Sequence, residues 1–255
     1  MSPTDASDEY GPQMGLLEHL NELRKRLVWV AVAVALCTVI GFVFAESILD
    51  YLLVPYAQAT GSVGEAALQT LRPTEGLETY FKVSLLFGAV LAMPMILVQF
   101  WLFLPPLKPE EKRYIYVFVP SSLALFILGM AFAWFVLAPA AIFFLANFMP
   151  QIFSTDWTSQ EYISFVLRLI FWLGISFQLP IVVYFLSRVG LVSARTLLDQ
   201  WRMAIVIIAI LAAMITPSID PVTMLLTMAP LIVLYILSIA LARVGERQFN
   251  RSMAV

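Results

Sequence analysis

Two polar stretches carry the residue types from which a recognition chemistry could be built. The first, "HLNELRKRL" from His19 to Leu27, follows Leu16 so that Leu16, Leu20, Leu23 and Leu27 recur on one helical face, with Glu18, Glu22, Lys25 and Arg26 opposite. This predicts an amphipathic helix entering the first apolar run, with Glu22 paired to Arg26 at i, i+4, worth ~0.2 to 0.5 kcal/mol. Arg24, Lys25 and Arg26 suit a charged anchor at a membrane surface. The same stretch also suits a surface that reads another protein. Spacing alone favours the anchor.

The second stretch, "FLPPLKPEEKRY", runs from Phe103 to Tyr114. Pro105, Pro106 and Pro109 make it a short, stiff elbow, and Pro109 fits the first position of a new helix. Glu110 and Glu111 then fall in the first turn, where the helix dipole favours a negative charge by ~0.3 to 1 kcal/mol. That explains acids at the site but not their neighbouring aromatic.

Catalytic constellations are missing. His19 is the single histidine and Cys37 the single cysteine, so neither an H-E-x-x-H zinc pair nor a disulfide framework can be assembled. There is no G-x-x-x-x-G-K-[ST] phosphate loop. The apolar runs hold no pair of close carboxyl groups of the kind an intramembrane aspartyl protease needs. The chain is therefore expected to be no enzyme, with no metal and no cofactor.

The elements that must position these stretches are set by composition. Of 255 residues, 61% are hydrophobic, against roughly 45 to 50% in soluble domains, and the mean hydropathy is +0.89. An all-α integral membrane protein follows. With 15 basic and 17 acidic residues, it lacks the basic excess of a general nucleic-acid surface. Residues 1 to 23 carry Asp5, Asp8, Glu9, Glu18 and Glu22 before any basic residue, the reverse of a secretory leader, so the N-terminus is expected to be retained.

Six apolar runs stand out, at about 27 to 45, 80 to 104, 114 to 138, 163 to 187, 203 to 216 and 222 to 242. They predict one polytopic domain over 1–255: a cytoplasmic amphipathic segment (1–26), six spans (27–242) and a cytoplasmic tail (243–255). The fifth run has only 13 residues before Thr216 and Pro217, about 20 Å of helix. It is short for a bilayer core of ~30 Å. Apolar character continues past Pro139 to Met149, which reads as a bent or interfacial extension. The longest polar loop is placed at about 57 to 79.

Twelve of the fifteen basic residues fall on one side of these runs, and only Arg72, Lys82 and Arg168 on the other. Both termini are accordingly expected in the cytoplasm. Lys82 and Arg168 lie near enough to span ends to snorkel. Trp101 and Trp134 read as interfacial or packing residues. A secondary transporter or channel is the competing class, but no central series of ionisable residues and no repeated half supports it.

Taken in order, these stretches resemble the TatC family, the multispanning receptor subunit of the twin-arginine protein translocase. "HLNELRKRL" is similar to its H-L-x-E-L-R-x-R-L opening, and "RPTEGLETYFKVSL", "FLPPLKPEEKRY", "GMAFAWFVLAP" and "TPSIDP" extend the match along the chain. The resemblance implies a concave, glove-like bundle of six helices, with helices five and six short. It also implies binding of twin-arginine signal peptides at the cytoplasmic face, TatA- and TatB-type single-span partners, homo-oligomers within the receptor complex, and export of folded cargo by the proton-motive force. The location implied is a bacterial or archaeal cytoplasmic membrane.

By position, Glu22 resembles the acid of the family's N-terminal motif, beside Arg24. Glu111, or its neighbour Glu110, resembles the elbow glutamate, and Phe103 the aromatic before it. Two arginines of a peptide need carboxylates that water can reach, because Arg–carboxylate bonds are directional and can be bidentate.

The chain departs from the family at three places. Its elbow reads P-P-L-K-P-E-E, one residue shorter than the usual form. Gln178, in "ISFQLPIV", stands where the family typically has glutamate, as a possible intramembrane polar site or a plain interhelical hydrogen bond. Met224 stands where glutamine is common. Thr216, Asp220, Met224 and Pro55 are partner-contact or structural candidates. Asp220 before an apolar run also fits a helix cap, and Pro55 and Pro139 are expected to shape the outer face.

Overall fold

The computed structural model describes residues 16–61, 68–103, 115–149, 151, 157–216 and 220–253. Among these, every element is helical except one parallel bridge between Gln69 and Thr158. Helix α1 (Leu16–Leu52) has 37 residues. It joins the amphipathic opening to the first apolar run without a break, over about 55 Å.

The loop predicted at about 57 to 79 is shorter than expected at both ends. Pro55 lies in the first turn of α2 (Val54–Thr60), which Gly61 closes at φ 72°. At the other end, α3 (Glu75–Leu91) starts inside the expected loop.

Helices α1 and α3 pack along each other through glycines. A Cβ at Gly41 would lie 2.3 Å from the Ser84 carbonyl oxygen, and one at Gly88 would lie 2.5 Å from the Thr38 backbone nitrogen. Only residues without side chains allow the two backbones to approach this closely.

The second apolar run is not one straight helix. Helices α3 and α4 (Met93–Phe103) meet at a 53° bend around Ala92. Pro94, in the first turn of α4, has no N–H to continue the α3 ladder. The third run, α5 (Ile115–Phe132), passes through a π-helical turn at Ala133–Leu137 into α6 (Ala138–Ala146). The extension beyond Pro139 is therefore helix. The widened turn, in which the Ala138 N–H bonds to the Ala133 carbonyl, admits Pro139 without ending the element.

Helices α7 (Ser159–Ser176) and α8 (Leu179–Arg188) form the fourth run, interrupted just before Pro180. After the short α9 (Ala194–Asp199), α10 (Trp201–Ile215) has 15 residues, or about 22 Å. Helix α11 (Pro221–Met253) corrects an expectation, because the sixth helix is long at 33 residues. Its apolar part is long enough to span a bilayer, and the polar end continues alongside α9. There the Glu246 carboxylate accepts the Ala194 N–H at 2.7 Å.

Among the described residues, four helical stretches are long and apolar enough to cross a membrane: Leu20–Thr60, Tyr116–Ala146, Ser159–Arg188 and Pro221–Asn250. The bent α3–α4 pair makes a fifth, and α10 is apolar but shorter. The larger core joins α2, the π turn, α6, α7, α10 and α11 around Ile142, Val166, Leu169 and Ala212. A second cluster joins α4, α5 and α8 around Trp101, Phe118 and Phe185.

Candidate functional site

On α1, the predicted Glu22–Arg26 pair is formed. The Arg26 Nε donates to Glu22 Oε1 at 3.0 Å, and its Nη2 reaches the same oxygen. Its Nη1 donates to Gln99 Oε1 on α4 at 3.2 Å. Arg26 is thereby held from two helices. Glu22 Oε2 accepts no hydrogen bond from the described residues, and a carboxylate oxygen has room for more than one donor.

Phe103 ends α4 one turn beyond Gln99, so the Arg26–Gln99 contact brings Glu22 and Phe103 to the same end of the molecule. Arg24 is exposed there. Glu110, Glu111 and the prolines of the elbow lie outside the described residues. Of the leucine stripe, Leu20 is 58% exposed and Leu27 64%.

Below this end lies the second cluster. Trp101 stacks on Phe118 with centroids 4.7 Å apart, meets Phe185 edge-on, and donates from Nε1 to Ser122 Oγ at 2.9 Å. Gln178, at the α7–α8 break, donates from Nε2 to the Ser122 carbonyl at 3.0 Å. Its observed contact is thus a hydrogen bond between helices. Trp134 packs as expected, stacked on Tyr51 and donating to the Tyr51 hydroxyl at 2.9 Å.

The remaining candidates sit where helices begin or end. Asp220 caps α11, accepting the Thr223 N–H at 2.7 Å and contacting the Thr223 hydroxyl through its other oxygen. Thr216 is buried at the end of α10, with its hydroxyl donating to the Ala212 carbonyl at 2.8 Å. Met224 is half-buried against the larger core, and Pro55 is buried in α2.

Glu75 emerges only from the structure. It is 2% exposed. One oxygen accepts the Leu71 and Arg72 N–H groups, and the other accepts the Gln160 N–H at 2.9 Å and the Ser159 hydroxyl at 3.2 Å. It thus ties the start of α3 to the start of α7, beside the Gln69–Thr158 bridge. An acid just after Pro73, at a helix start, was the available signal. For Gln99, the signal was a lone amide in an apolar run one turn before Phe103.

The family model for "Sec-independent protein translocase protein (TatC)" matches residues 18–230. The chain belongs to the TatC family. It is 38% identical to the TatC protein of Koribacter versatilis over 231 residues, which is 90% of this chain and 85% of that one. Identity is also 38% with the TatC protein of Aquifex aeolicus, over 92% and 97% of the two chains.

The fold matches a crystal structure of the twin-arginine translocase receptor TatC, with a TM-score of 0.81 and 37% identity. That match covers 89% of this chain and 99% of that one. This TatC-family chain is accordingly an all-α, multi-pass membrane component of the Sec-independent translocase.

Proposed function

We propose that this chain is the non-enzymatic signal-peptide receptor of a twin-arginine translocase. The peptide's two arginines dock at the end that carries Glu22, Phe103 and Arg24, with Glu111 of the elbow as the second acid. What supports this is the carboxylate of Glu22. Gln99 and Glu22 Oε1 fix Arg26, while Glu22 Oε2 faces no donor among the described residues. One oxygen holds Arg26, which reaches across to Gln99 on α4, and the other is left for an incoming guanidinium. A charge-assisted bond of that kind is stronger than a neutral one.

The chain forms a single polytopic domain that crosses the bilayer six times, with both termini cytoplasmic. The short α10 is the fifth crossing and draws the bilayer thinner around it. TatA- and TatB-type single-span subunits, further copies of this chain and surrounding lipid complete the receptor complex, and the proton-motive force drives folded cargo across. Thr216, Asp220, Met224 and Pro55 act as capping and packing residues, and Gln178 as a helix-to-helix contact.

The test is binding of a labelled twin-arginine signal peptide to the purified protein. Binding that disappears when both peptide arginines become lysine is the expected result. Equal binding of the two peptides would overturn the proposal.

A further inference from the structure

Three of the fifteen basic residues, Arg72, Lys82 and Arg168, fall outside the basic side of the sequence, and the structure gathers all three around one cavity. The cavity, of about 690 Å³, lies between α3 and α7 at the end where both helices begin. Lys82 lies seven residues into α3, about 10 Å along its axis, and Arg168 nine residues into α7, about 14 Å. Counted from the apolar runs that begin at about residues 80 and 163, they lie two and five residues inside, and both are exposed. Cations at this edge of the hydrocarbon attract anionic groups of the membrane surface.

The protein supplies little counter-charge. Lys82 Nζ donates to Ser164 Oγ at 3.4 Å, and neither Lys82 nor Arg168 has a carboxylate within 4.0 Å among the described residues. Arg72 is shared between Gln160 and Glu78. Of the acids at the cavity wall, Glu75 has both oxygens engaged by donors of the chain, and Glu161 is exposed. Trp157 and Phe165 add apolar wall. Two unneutralised cations, a hydroxyl and an aromatic wall within a membrane helix pair match a phosphate group carried on an apolar body.

We propose that this cavity binds the phosphodiester of an anionic phospholipid, with Lys82 and Arg168 as the charged donors, Ser164 as a hydroxyl donor, and Phe165 as apolar wall beside them. The shared chemistry is a phosphate oxyanion, and the lipid source is favoured by the position of the cations at the edge of the apolar runs and by the apolar wall. Assignment to the outer leaflet rests on the proposed orientation. Binding itself does not depend on orientation or on signal-peptide recognition, so the failure of either proposal is distinguishable from failure of the other.

The experiment is native mass spectrometry of the full chain, delipidated in an uncharged detergent and re-exposed to phosphatidylglycerol, phosphatidylcholine or inorganic phosphate. The wild-type protein should retain phosphatidylglycerol at least about tenfold better than phosphatidylcholine, as expected for two cations near a lipid phosphate. Lys82→Gln with Arg168→Gln should remove that preference, while Lys82→Arg with Arg168→Lys should keep it. Equal retention of the two lipids by the wild type would overturn the proposal without recourse to any variant. So would undiminished preference in a folded double glutamine variant. Displacement of the lipid by an equal concentration of inorganic phosphate would overturn the lipid assignment and mark a free-anion site.

Discussion

Arg26 on α1 donates to Gln99 on α4 at 3.2 Å while its other nitrogens hold one oxygen of Glu22. This relationship fixes where Glu22 presents its remaining oxygen. Without Gln99, Arg26 is free to turn its fork onto both oxygens, in competition with an incoming arginine. Gln99→Leu should therefore weaken twin-arginine peptide binding by roughly fivefold, the equivalent of about one hydrogen bond to a charged group at a partly exposed site. Titration of a fluorescent peptide measures it. Unchanged affinity would separate the two helices' contact from recognition.

Gln178 donates to the Ser122 carbonyl at 3.0 Å. A protonated glutamate can make the same donation, so Gln178→Glu should leave export within a few fold. Gln178→Leu should lower stability by only about 0.6 to 1 kcal/mol, the ordinary worth of such a bond in a membrane. Export assays with thermal unfolding in detergent check both. A large gain in export by the glutamate variant would show instead that an acid at this position does useful work.

Glu75 accepts from three backbone N–H groups and one hydroxyl. Removing it leaves part-buried donors without their partner, at ~1 to 3 kcal/mol for each that cannot find water. Glu75→Ala should lower the unfolding midpoint markedly, by an amount equivalent to roughly 3 kcal/mol. Glu75→Gln should fall between alanine and wild type, because its single acceptor oxygen serves only some of these donors. A midpoint unchanged in Glu75→Ala would contradict the clamp.

The orientation is open to direct labelling. Cysteines placed at the exposed Thr70 and Asn250, in a chain with Cys37 replaced, should react with an impermeant reagent from opposite sides of the membrane. Labelling of both from outside would remove the basis for a cytoplasmic receptor face.

Much of this was legible in the sequence, for local reasons. The Glu22–Arg26 pair follows from i, i+4 spacing, the Asp220 cap from an acid before a helix start, and the break at Gln178 from Pro180. Other features needed the third dimension. The joining of Glu75 to Ser159 and Gln160 spans more than eighty residues of chain. Gln99 and Arg26 meet because α1 lies against α4. Proline gave mixed signals: Pro94 marks a 53° bend, whereas Pro139 sits in a helix that continues, since the π turn before it takes up the missing hydrogen bond. Lys82 and Arg168 read separately as snorkelling residues, and only the packing of α3 on α7 places them at one cavity.

The central claim, that Glu22 and Glu111 together receive the arginines of the signal peptide, is tested most directly by site-specific crosslinking to a twin-arginine peptide in native membranes. A neutral change at Glu22 alone should reduce crosslinking only about two- to fivefold, because a solvent-reached ion pair is worth ~0.2 to 1 kcal/mol. Glu22→Lys combined with Glu111→Lys replaces attraction by repulsion at both acids and should abolish crosslinking, while membrane insertion and the unfolding midpoint stay near wild type. Wild-type crosslinking by that double variant, in correctly inserted and folded protein, would contradict the account and leave the Glu22 stretch as a membrane anchor alone.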